Sequence, residues 1–123
     1  MKISGFTFTK NANKLYYPVR ASIECLLPIV DEFVVVIGDN DKDDTTEQEI
    51  RSIQSDKIKI IHTVWDLEKY PQGKEYAHQT DIAKEACTGD WLIYIQSDEV
   101  IHEKYLPVIK ENCEKYLKDK RVE

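Results

Sequence analysis

The stretch WLIYIQSDEVIHE, residues 91–103, decides the fold, because an apolar run from Trp91 to Ile95 stops abruptly at an amide and two adjacent carboxylates. A run that is continuous rather than alternating is what a parallel strand looks like when both of its faces are covered. Acidic side chains are rarely buried unless they are paired or bound to a cation. The strand therefore ends at Gln96, Asp98 and Glu99 either because the chain surfaces there or because carboxylates are held at its edge for chemistry.

Three further runs carry the same strand signal: Ile3 to Thr9, Phe33 to Gly38 (FVVVIG) and Ile58 to Thr63 (IKIIHT). Between them lie segments with helical spacing. Pro18 suits a first turn ahead of Val19, Ile23, Leu26 and Leu27. Thr45 and Gln48 read as a capping box before Ile50 and Ile53. Tyr76, Thr80, Ala83 and Cys87 line one face of a third helix, which Gly89 is placed to terminate. Leu106, Ile109, Cys113 and Leu117 give a fourth. Strand and helix thus alternate four times, which predicts βαβ units in an α/β, doubly wound, mostly parallel Rossmann-like sheet, short or truncated. Residues 1–118 form one domain in this reading, and 119–123 a charged tail.

In such sheets a ligand lies outside the carboxyl ends of the strands. Three polar stretches fall there: FTFTKN at 6–11, GDNDKDDTT at 38–46 and QSDEVIHE at 96–103. If the backbone stays extended, Asp98 and Glu99 point to opposite sides, so they do not form a paired acid and base. Asp98 shares a side with Gln96, and the two present a carboxylate and an amide to one ligand. A hard cation such as Mg²⁺ or Mn²⁺ often takes one or two protein carboxylates and completes its shell with water and phosphates.

Other chemistries are excluded or weakened. Gly73-Lys74 lacks the rest of a phosphate loop, and no G-x-G-x-x-G is present. Asp39, Asp41 and Asp43 alternate as in a calcium loop, but Asp44 replaces the turn glycine and Ile50 the bidentate glutamate. That stretch reads as a solvated acidic turn, with Asp39 nearest the strand end and best placed to face a ligand. His62, His78 and His102 are scattered, and Trp65, Tyr70 and Tyr76 read as packing or loop anchors. A net charge of −6 over 123 residues argues against tracking a nucleic-acid backbone. Cys25, Cys87 and Cys113 suggest neither a disulfide framework nor a zinc site, and no stretch reads as a leader or a membrane span. A cytoplasmic protein is expected.

Taken in order, residues 3–45 and YAHQTDIAKEACTGDWLIYIQSDEVIHE (76–103) resemble glycosyltransferase family 2, the GT-A nucleotide-sugar transferases. The similarity is strongest over TGDWLIYIQSDEVIHE, which is similar to the family's strand leading into its D-x-D-type motif. The resemblance implies a GT-A domain that binds a nucleotide-diphospho-sugar donor with Mg²⁺ or Mn²⁺ for transfer to a glycan, lipid or protein acceptor. It places Phe6, Thr7 and Phe8 at the nucleobase cradle and Asp39 as the acid that contacts the base. Asp98 matches the metal-binding acid, Gln96 replaces the first Asp, and Glu99 is a compensating ligand. The family's general base comes from a second half of the domain, beyond Glu123, so no catalytic residue is assigned. Two alternatives stand beside this reading: a non-catalytic nucleotide- or sugar-binding half-domain and a flavodoxin-like interaction domain. A half-domain with exposed apolar surface further implies self-association as a homo-oligomer.

Overall fold

The computed structural model describes residues 1–123. Its elements follow the predicted alternation: β1 (Ile3–Thr9), α1 (Val19–Leu26), β2 (Glu32–Ile37), α2 (Thr46–Arg51), β3 (Ile58–His62), α3 (Lys74–Ala86), β4 (Trp91–Tyr94) and, after a short 3-10 turn, α4 (Leu106–Lys115). The four strands form one sheet in the order β3-β2-β1-β4, and every pairing is parallel. The chain winds outward from β1 to β3, then returns across the sheet to place β4 on the other side of β1. That reversal lies between β1 and β4.

The two faces are covered unequally. On one, Ile3, Phe33, Val35 and Ile37 pack with Val19, Ile23 and Leu26 of α1, Ile50 of α2 and Leu106 of α4. On the other, Phe6, Val34 and Val36 meet Ala83 of α3. β2 is buried along its whole length, as its uninterrupted apolar run predicts. The same reading fails for β4. It is an edge strand, its residues only half buried and Tyr94 exposed, because the run feeds three different neighbours. Trp91 and Ile93 join the α1 side, Leu92 joins the α3 side, and Tyr94 is left at the carboxyl edge.

Three local expectations are corrected. Thr45 precedes α2 but makes no capping bond. Asp44 does so instead, its Oδ1 accepting the Thr46 N–H at 2.8 Å and its Oδ2 the Lys14 N–H at 3.0 Å. The buried residues of α3 are Glu75, Gln79 and Ala83, which turns Tyr76 outward rather than into the core. Gly89 does not stop α3 in a left-handed conformation. It lies beside β1, where a Cβ would come within 2.7 Å of the Ser4 nitrogen.

Candidate functional site

The strand reversal opens a cavity of about 740 Å³ at the carboxyl edge of the sheet. Its contributors come from every strand end. β1 supplies Phe8 and Thr9, the loop after it Lys10, Asn11, Lys14 and Tyr17, the β3–α3 loop Trp65, α3 Tyr76 and Thr80, and the end of β4 Tyr94, Gln96 and Asp98.

Aromatic rings build one side of it. Phe8 lies between Tyr94 and Tyr76, with ring centroids 6.2 and 5.9 Å away and planes inclined by only 7° and 25°. At those separations near-parallel rings are offset, so the three tile a floor. Trp65 rises beside it, its plane at 75° to Tyr76 and 55° to Phe8. Tyr76 is 56% exposed and Tyr94 39%. Large aromatic surface left open beside polar groups marks a recognition site.

The polar side is dominated by paired charges. The Lys10 ammonium lies 3.5 Å from Asp39, and Lys14 donates to Asp41 at 2.9 Å and to Asp43 at 3.0 Å. Its hydrogen bonds to both acids hold the Lys14 pKa above its ordinary value. Asn11 joins this latch: its N–H donates to Asn40 Oδ1 and its own Oδ1 accepts the Asp41 N–H. The acidic loop is therefore more than a solvated turn, because it fastens the β1–α1 loop against the sheet edge. Both cavity lysines are neutralised by it.

Asp98 is different. It lines the cavity, and no hydrogen bond or ion pair engages its carboxylate. Glu99 is not among the lining residues: its Oε1 accepts the Gln96 N–H at 2.9 Å while its own N–H donates to the Gln96 carbonyl, so it closes the turn that presents Asp98. Burial, and then the negative charges of Glu99 and Asp98, push the Tyr94 phenol above its ordinary pKa.

The other residues expected at the site divide into lining and support. Phe8, Gln96 and Asp98 line the cavity together. Phe6 is buried behind it, stacked on Tyr94 at 5.3 Å, and Thr7 is buried on the opposite face of β1. Asp39 also stands behind the wall, its Oδ1 accepting the Trp65 N–H at 2.9 Å. Burial pushes the Asp39 carboxyl up, but the Trp65 amide and the Lys10 charge outweigh it, and its pKa lies below the usual value. His102 caps the 3-10 turn by accepting the Lys104 N–H. Trp65 and Tyr76, read from sequence as anchors, are cavity walls. The signal that could have shown this is position: each follows a strand's carboxyl end or opens the helix after it.

No family model and no curated protein sequence matches the chain. Among solved structures, S. aureus TarS is similar over 94% of this chain, with a TM-score of 0.66 and 18% identity. TarS 1–349 in complex with UDP gives 0.61 and 21%, and its complex with UDP-GlcNAc 0.55 and 19%. The chain spans 20% of the TarS chain and 33% of TarS 1–349, and at this identity the likeness shows the fold alone: a Rossmann-type α/β sheet with all strands parallel.

Proposed function

We propose that this chain is the donor-binding part of a family 2-like glycosyltransferase, holding a nucleotide-diphospho-sugar across the β1–β4 reversal. One observation carries the reading: at the switch point of a parallel sheet, an open aromatic floor adjoins a carboxylate that nothing in the chain neutralises. UDP and UDP-GlcNAc in the TarS complexes support a nucleotide-sugar as the ligand class.

The flat base lies on the Phe8–Tyr76–Tyr94 floor, where base–aromatic stacking contributes about 1–3 kcal/mol. Gln96 donates and accepts hydrogen bonds with sugar hydroxyls without adding charge. Phe6, Thr7 and Asp39 act from behind, fixing the floor, the strand and the Trp65 wall. Lys10 and Lys14 are already paired, so the diphosphate meets an edge with little free positive charge. The donor set suits one divalent ion held chiefly by its ligand, since no three His, Cys, Asp or Glu side chains converge. Asp98 would hold Mg²⁺ or Mn²⁺ there, sharing it with phosphate and water oxygens, and Glu99 would join only by releasing the Gln96 amide. Such an ion supplies Lewis-acid stabilisation of the charge left on a departing diphosphate.

Thermal-shift titration with UDP, GDP and dTDP, with and without Mn²⁺, tests the proposal, because a ligand of the folded state raises its apparent stability. A rise with at least one nucleotide, larger with the metal, is expected. No rise with any of them sinks the donor reading, and an Asp98→Ala chain that keeps the metal-dependent rise refutes the metal assignment. Release of UDP from UDP-GlcNAc, with and without added sugar acceptors, then separates a transferase from a binding module.

A further inference from the structure

Glu75 is 1% exposed, although a glutamate in the first turn of a helix ordinarily sits in solvent beside the helix N-terminus. Both of its oxygens are engaged. Oε2 accepts the Asp66 N–H at 2.9 Å, while Oε1 accepts from Gln79 Nε2 at 2.6 Å and contacts His78 Nδ1 at 2.8 Å. Gln79, itself fully buried, turns its Oε1 to the Thr63 hydroxyl at 2.6 Å. Burying a carboxylate is costly unless its partners are fixed. Here those partners include the loop that carries Trp65.

The wall has no polar anchor of its own. The Trp65 Nε1 is buried and bonds to nothing, and the indole packs over Gly38. What holds the ring is its backbone: Asp39 takes the Trp65 amide, Glu75 the next amide along, and Gln79 the hydroxyl of Thr63 two residues earlier. The Asp66 carbonyl and carboxylate then fold the chain back through Tyr70 and Lys69. His78, which contacts the same carboxylate, is covered by the Tyr70 ring at 4.1 Å.

We infer that Glu75 is a positioning residue of the cavity: its buried carboxylate fixes the β3–α3 loop and so stands Trp65 against the aromatic floor. The inference rests on the donor-site reading only where nucleotide binding is the readout. Burial alone pushes Glu75 up, but the bonds from Gln79, His78 and the Asp66 amide hold its pKa below the ordinary value, as a working acceptor requires. Glu75→Gln keeps the shape but exchanges one acceptor oxygen for a donor, which cannot serve the same set of N–H groups.

The test isolates Trp65 fluorescence in a Trp91→Phe background. Glu75→Gln is expected to shift Trp65 emission to longer wavelength and to raise its quenching by iodide. Glu32→Gln, which alters a buried carboxylate at the other end of the sheet, is expected to lower stability without either change. Thr63→Val, a milder cut in the same network, should move emission in the same direction. For binding, UDP with Mn²⁺ is the probe: Glu75→Gln should raise Kd about tenfold, the scale of one lost aromatic stack. In a Trp65→Ala chain the same substitution should add about twofold or less, since residues acting through one contact are non-additive. Unchanged Trp65 emission and quenching in both Glu75→Gln and Thr63→Val would overturn the inference, as would full additivity with Trp65→Ala. If the wild type binds no nucleotide, the donor reading fails while the emission arm still decides the role of Glu75.

Discussion

The two ends of the sheet differ in the polar groups they leave without a partner. At the amino end, Glu32 opens β2 at 2% exposure and gathers the Ser4 hydroxyl, the Thr88 amide at 2.7 Å, the Thr88 hydroxyl at 2.9 Å and the Lys59 ammonium at 2.6 Å. The Gly89 amide donates in turn to Ser4 Oγ. At the carboxyl end, Asp98 has no partner, the Trp65 indole N–H and the Thr9 hydroxyl bond to nothing, and aromatic rings stand open. A buried polar cluster whose members are all satisfied fixes a structure. Polar groups left without partners at a cavity, buried like the Trp65 indole N–H or exposed like the Asp98 carboxylate, leave bonds for a ligand to make.

The largest effect is expected where the comparison is most one-sided. Glu32→Ala removes the acceptor for four donors drawn from β1, β3 and the α3–β4 loop, and should cost about 3 kcal/mol of stability, read as a lower urea midpoint. UDP affinity, measured where the variant is still folded, should not change. A weakened affinity would show that the ends are coupled and break the contrast.

The same carboxylate sets an acid limit. Burial pushes Glu32 up, but Lys59, Ser4 and Thr88 outweigh it and hold its pKa far below the ordinary carboxylate value. Over that interval the unfolded chain binds the proton that the folded chain refuses. Its contribution is therefore present above the unfolded pKa, about 4.3, and is lost as pH falls through the folded one. Urea midpoints between neutral and acid pH should fall steeply in the wild type and less steeply in Glu32→Gln. Equal slopes would remove Glu32 as the cause.

How much of this contrast was legible depends on where the partners come from. β2 could be read from FVVVIG because a central parallel strand needs nothing beyond its own apolar run. β4 has a similar run and is an edge strand, since sheet order is set by the crossover of α3 and not by composition. Asp98 was legible as an acid at a strand end. The roles of Glu32 and Glu75 were not, because Ser4 lies 28 residues from Glu32, Thr88 lies 56 away, and the Asp66 amide reaches Glu75 only once the loop has folded. Helical spacing puts Tyr76 on one face of α3 with Thr80, Ala83 and Cys87. The buried polar pair Glu75 and Gln79 takes the core side of the helix and turns Tyr76 to the cavity.

Two glycines sharpen the comparison at intermediate size. A Cβ on Gly89 would lie 2.7 Å from the Ser4 nitrogen and 2.9 Å from the Lys2 carbonyl, both backbone atoms. Gly89→Ala should therefore cost about 2 kcal/mol, with little effect on ligand binding. A Cβ on Gly38 would instead lie 2.6 Å from the Trp65 Nε1, a side-chain atom at the cavity wall. Gly38→Ala should cost less, about 1 kcal/mol, because the indole swings away, but it should shift Trp65 emission and weaken UDP binding. A Gly38→Ala chain with wild-type emission would mean that the wall yields without opening.

The smallest stability effect belongs to the residue with the largest functional claim. Asp98 is exposed, in a turn closed by Glu99 rather than by its own side chain, so Asp98→Asn removes no native bond. Its unfolding free energy should stay within about 0.5 kcal/mol of the wild type. A charge without any internal partner adds nothing to the fold, and on the proposed function its contribution is the gain in UDP affinity on adding Mn²⁺. That gain should vanish in Asp98→Asn while metal-free UDP binding, carried by the aromatic floor, persists. Loss of stability in Asp98→Asn would instead mark the carboxylate as structural and make the two ends of the sheet alike.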